Sequence, residues 1–96
     1  MANYLARVEL FDADSAQYEE LYEKMDNYGF SKYVITDDGK TYELPTGTYL
    51  GDRTEGVAVV RKYISSIANP LSSKAASVFV CSFDEGHWNS YLYPES

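Results

Sequence analysis

The chain has 96 residues, 45% of them hydrophobic and 16% aromatic, enough for one domain with its own core and no covalent staples. Against 8 basic residues stand 15 acidic ones, a formal charge of −7. That balance argues against non-specific binding to nucleic acid or an anionic membrane, because phosphate contacts rest on Lys and Arg. The single Cys81 forms no internal disulfide and makes no metal site by itself. No basic-then-apolar leader opens the sequence, and no apolar run reaches the roughly 18–20 residues of a membrane span. A soluble cytoplasmic protein is the expectation. Ten tyrosines are many for this length, and some of those rings are expected to line a surface or a subunit interface.

In chain order, residues 4–11 alternate as a strand: Tyr4, Ala6, Val8 and Leu10 point one way, Leu5, Arg7, Glu9 and Phe11 the other. Asp14 with Gln17 resembles a capping box, and Ser15 is an N-cap in its own right. Tyr18, Leu21, Tyr22, Met25 and Tyr28 then fall on one helical stripe, and Gly29 supplies the left-handed C′ position. Residues 30–36 read as a second strand with a β-branched centre. Asp38-Gly39 reads as a tight hairpin turn, and the returning strand is broken at Pro45 and Gly47. Asp52 with Glu55 reads as the capping box of a second helix, with Gly56 weakening its first turn. Its buried stripe is Val57, Val60, Ile64 and Ile67, with Tyr63 alongside, and Asn69-Pro70 ends it. Residues 76–83 alternate once more, Ala76, Val78 and Val80 against Phe79, Cys81 and Phe83. The order is strand, helix, strand, strand, helix, strand. It predicts an α+β, ferredoxin-like βαββαβ sandwich: one antiparallel sheet with two helices on one face, plus a C-terminal extended segment. Residues 1–96 form a single domain, of which 84–96 are an aromatic tail.

The candidate sites are few. Asp12 and Asp14 stand where the first strand gives way to a helix. Asp14 is accounted for as a cap. Asp12 is either a turn residue near the positive end of the helix dipole or, doubled in a dimer, an oxygen ligand for a divalent ion. His87, the only histidine, is a candidate general acid or base but sits between Gly86 and Trp88, where an exposed or ring-packed histidine is the simpler reading. Asp37-Asp38-Gly39 lacks the remaining ligand spacings of a calcium loop and reads as a turn. Glu19, Glu20, Glu23 and Asp26 make an acidic helix face, of a kind that usually only solvates. The tail residues Trp88, Tyr91, Leu92 and Tyr93 are too apolar to hang free, so they cover either this chain's own sheet or a partner's edge.

The stretches "VELFDADS" and "MDNYGFSKYVITDDGKTYELPTGTYL" resemble the GhoS-like antitoxins of the type V toxin–antitoxin class, and more widely the Cas2-like set of ferredoxin-fold proteins. The resemblance is one of pattern and runs over most of the chain. It implies a small endoribonuclease, RNA-binding, that cleaves a toxin mRNA. Of the Cas2-like metal-associated positions it carries over only the aspartate ending the first strand, here Asp12. A homodimer with Mg²⁺ between paired Asp12 carboxylates is the expected form. The alternative is a non-catalytic acidic protein, a nucleic-acid mimic or phage inhibitor, that blocks a basic site on a partner nuclease.

Overall fold

A computed structural model of the chain describes residues 1–94; the last two residues of the predicted 84–96 tail lie outside the described residues. The alternation in the first apolar run is realised in β1 (Ala2–Glu9). It buries Tyr4, Ala6 and Val8, and Leu10 just beyond, on one face. The strand ends at 9 rather than the predicted 11, because side chains take the next two backbone N–H groups. Leu10 N donates to the Tyr18 hydroxyl at 3.0 Å and Phe11 N to Ser72 Oγ at 2.8 Å.

Helix α1 (Ser15–Asn27) starts on the predicted box: the Asp14 carboxylate accepts from Ala16 N and Gln17 N, and Gln17 Oε1 accepts from Asp14 N at 2.9 Å. A cap of this kind contributes about 1 kcal/mol. Leu21 and Met25 are fully buried, Tyr28 follows at the C-cap, and Gly29 takes φ +91° to turn the chain out.

The predicted strand 30–36 is two strands in two different sheets. β2 (Phe30–Ser31) pairs with β5 (Thr48–Arg53), whereas β3 (Tyr33–Ile35) pairs with β4 (Thr41–Glu43). The break falls at Lys32. The Ser31 hydroxyl captures Tyr33 N at 3.0 Å and Lys32 O accepts from Leu44 N at 2.8 Å, so the chain leaves one ladder and enters another. The Asp38-Gly39 turn forms as expected: the Asp38 carboxylate accepts from the Thr36 hydroxyl and from Lys40 N, which holds it below the usual carboxylate range, and Gly39 has φ +80°.

The second capping box does not form. Asp52 belongs to β5, opposite Asn3 of β1, and α2 (Val57–Ala68) begins after Gly56, which caps without a side-chain bond. Arg53 has taken Glu55 instead. Its Nε and Nη2 donate to the two carboxylate oxygens at 2.9 and 2.8 Å, its Nη1 donates to Tyr28 O at 3.0 Å, and its guanidinium lies 4.1 Å from the Tyr28 ring centre. A two-pronged ion pair with a helix-end carbonyl beside it outcompetes a single capping bond. The buried stripe of α2 is Val60, Ile64 and Ala68, with Ile67 partly covered; Val57, at the first turn, is exposed. Tyr63 is half-exposed and stacks on Tyr28, centroids 4.0 Å apart.

This ion pair makes a pH-dependent contribution with a definite sign. Arg53 holds the Glu55 carboxyl down to about 2 from its ordinary 4.5. A folded value below the unfolded one means stability fully present above about pH 4.5 and lost as pH falls through about 2. Between those values the wild-type unfolding midpoint in urea is expected to fall more steeply than that of Glu55→Gln. Parallel pH profiles for the two proteins would remove the pair from the account.

β6 (Ser77–Phe83) completes a four-stranded antiparallel sheet of order β2-β5-β1-β6, with the helix-side residues Ala76, Val78 and Val80 packed on the core. The tail ends in β7 (Tyr93–Pro94), which pairs with β4 to make a three-stranded sheet β3-β4-β7. The described residues thus form an α+β fold with two α-helices and two antiparallel sheets, compatible with the predicted ferredoxin-like arrangement. No helix among the described residues is long and apolar enough to cross a membrane.

Candidate functional site

Three consecutive residues of the loop between α2 and β6 close over the end of the first strand. Ser72 Oγ accepts from Phe11 N at 2.8 Å, Ser73 N donates to Phe11 O at 3.0 Å, and Ser73 Oγ donates to Asp12 Oδ2 at 2.7 Å. The Lys74 ammonium lies 4.3 Å from the centre of the Phe11 ring. Asp12 itself has φ +53° and is the one non-glycine residue with positive φ among the described residues. Asp tolerates this left-handed region better than most residues, and it is a frequent conformation where a side chain must be aimed. Asp12 is exposed, and Oδ1 has no hydrogen-bond partner among the described residues.

The site therefore combines a solvent-facing carboxylate fixed by a hydroxyl with an ammonium on the adjacent loop residue. Asp12 came from the sequence. Ser72, Ser73 and Lys74 did not: "SSK" reads as an ordinary polar loop, and its relation to residue 12 spans 61 positions. Asp14 caps α1 through Oδ1, which accepts from Ala16 N and Gln17 N.

The remaining candidates lie elsewhere. His87 is highly exposed in a turn, its Nδ1 3.7 Å from Asp84 Oδ2, and is not brought to Asp12 by any contact. Glu19, Glu20 and Glu23 share a shallow exposed surface with Lys24, and Glu20 pairs with Lys24 at 3.4 Å; Asp26 is exposed one turn on. Trp88, Tyr91 and Leu92 fold back toward their own sheet and line a cleft with it, and Tyr93 stands opposite Glu43 in the small sheet. Tyr91 and Tyr93 are largely exposed and meet edge to face, centroids 5.6 Å apart. Cys81 lies on the helix-free face between Phe79 and Phe83, partly buried.

Comparison with protein-family models and with curated proteins finds no match to this chain.

Proposed function

We propose that the chain is a ferredoxin-like, antitoxin-type protein that acts as a metal-assisted endoribonuclease on a toxin mRNA, with Asp12 as the carboxylate at the reacting phosphate. The observation that carries this reading is the clasp at the strand end. A carboxylate that only ends a strand needs no hydroxyl to fix it, and Asp12 has one in Ser73, with the Lys74 ammonium over the ring of the preceding residue, Phe11.

Among the described residues no three His, Cys, Asp or Glu side chains gather into a metal site. Mg²⁺ takes one or two carboxylates and fills its shell with water and phosphate oxygens. Asp12 fits such an ion, and fits it better in a homodimer that brings two copies together. When bound, the ion would draw charge from the scissile phosphate and make a bound water more acidic. The chain's own part is electrostatic and geometric: Ser73 holds Asp12 in one orientation, leaving Oδ1 free, and Lys74, next to Ser73 in the loop, would offset phosphate charge.

Such a dimer is not a symmetric pairing of β6 edges about Val80. Asp12 lies beyond the Ser77 end of that strand, so the two carboxylates would sit at opposite ends of the doubled sheet, at least about 20 Å apart at 3.3 Å per residue. The dimer this mechanism requires meets through the strand-end surface itself.

A second reading is favoured by the exposed carboxylates of α1. Glu19 and Glu23 have no ion-pair partner among the described residues, and with Glu20 and Asp26 they make an acidic face suited to a basic site on a partner nuclease.

Cleavage of a mixed set of labelled RNAs separates the two. The nuclease reading expects cutting with Mg²⁺, none with EDTA, and a loss of about a hundredfold or more in Asp12→Asn, the scale of losing one group at a reacting centre. No cutting, or equal cutting by the variant, overturns it and leaves the acidic face as the functional surface.

A further inference from the structure

The helix-free face of the large sheet is roofed in part by the tail, and between them lies a cleft of about 530 Å³. Its volume is that of a small-molecule site, which typically occupies about 300–1,000 Å³. Leu5, Leu50 and Phe83 form its floor, and Trp88 and Leu92 its roof. This body is apolar.

One end of the cleft is different. Arg7 and Thr48 stand directly opposite each other in the β1–β5 ladder, on the same face, and both line it. Thr48 is only 5% exposed, and its hydroxyl has no hydrogen-bond partner among the described residues. A buried hydroxyl without a partner is rare and costly, and this one lies beneath the cleft surface. Arg7 is exposed and is in none of the ion pairs among the described residues; Glu9, the next residue on that face, lines the shallow surface on the far side of Arg7 rather than the cleft. Lys40, Arg61, Lys62 and Lys74 are likewise outside the ion pairs among the described residues, but Arg7 is the one basic residue that lines the cleft. Distant carboxylates are screened over a Debye length of about 8 Å, so the neighbouring guanidinium dominates what the cleft mouth attracts.

We propose that this cleft binds a small amphipathic carboxylate: an apolar body between sheet and tail, and a carboxylate head held by the Arg7 guanidinium. The planar fork of arginine matches a carboxylate. The aliphatic or aromatic body displaces water from the floor and from one face of Trp88. The assignment is independent of the Asp12 site, since none of its residues belongs to the clasp.

Trp88 is the only tryptophan and lines the cleft, so it reports occupancy directly. Decanoate, kept below its micellar concentration, is the probe, with decan-1-ol as the uncharged counterpart and acetate as the head alone. Titrations read by Trp88 fluorescence and by calorimetry are expected to show saturable decanoate binding. Arg7→Gln weakens it at least tenfold, while decan-1-ol binds at least tenfold more weakly and acetate gives no response. Circular dichroism confirms that the variant keeps the fold, which is expected because Arg7 is exposed. Absence of both heat and a fluorescence change with decanoate overturns the proposal. So does unchanged affinity in Arg7→Gln, or equal affinity for the acid and the alcohol.

Discussion

Gly47→Ala is expected to destabilise the protein by about 4 kcal/mol, near the upper end for a single substitution. Two costs add. Gly47 has φ +79°, a left-handed conformation that costs a residue with a β-carbon roughly 1–2 kcal/mol. A Cβ built there would also lie 2.4 Å from Val8 O. That oxygen cannot move away cheaply, because Val8 N donates to Gly47 O at 2.8 Å and β1 is paired on both sides. The loop from Pro45 to Thr48 is closed by Thr48 N donating to Pro45 O at 3.0 Å, so glycine occupies the position where a type II turn demands positive φ. Gly39 supplies the control. Its φ is +80°, but nothing lies within 4 Å of the site a Cβ would take. Gly39→Ala therefore carries only the conformational cost of about 1–2 kcal/mol. Urea unfolding of the two variants measures the difference, which is the steric part. Equal losses would mean that the Gly47 loop can lift off β1.

Phe30→Ala is expected to cost about 3–5 kcal/mol, the range for removing a buried phenylalanine. Phe30 is the largest fully buried side chain, stacked on Tyr28 with centroids 5.6 Å apart. Gly51 of the neighbouring strand makes room for it: a Cβ at Gly51 would lie 2.8 Å from the Phe30 ring. The ring therefore sits in a niche shaped by the absence of a side chain, and its removal leaves a cavity that the paired strands cannot close. Phe79 is 63% exposed on the helix-free face, and Phe79→Ala is expected to stay within about 0.5 kcal/mol. Thermal or urea denaturation of both variants tests the contrast. A loss in Phe30→Ala no larger than in Phe79→Ala would show that the niche collapses without penalty.

Tertiary placement makes these two phenylalanines unequal, and the same distinction runs through the molecule. The inward set Tyr4, Ala6, Val8 and Leu10, the Asp14–Gln17 box, the Leu21–Met25 stripe, Gly29 after α1 and the Asp38-Gly39 turn were all readable from the residues. Each depends on neighbours within about four positions, where backbone geometry alone decides which side chains meet. The Asp52–Glu55 box failed for the opposite reason. Its local logic was sound, but Arg53 was pinned by Tyr28 O, 25 positions away, and from there it took Glu55. The strand at 30–36 divided because Lys32 O was claimed by Leu44.

Of the candidate site, the sequence by itself determined that a carboxylate would stand where β1 ends and that an aromatic tail would need a surface to cover. The tertiary structure alone decided that Ser73 fixes Asp12, that Lys74 lies over Phe11, and that Arg7 and Thr48 become neighbours at the mouth of an apolar cleft. Periodicity carries information over one turn of helix or one pair of strand residues. Contacts across 41 or 61 positions are set by which strands pair and in what register, and no short-range pattern encodes that.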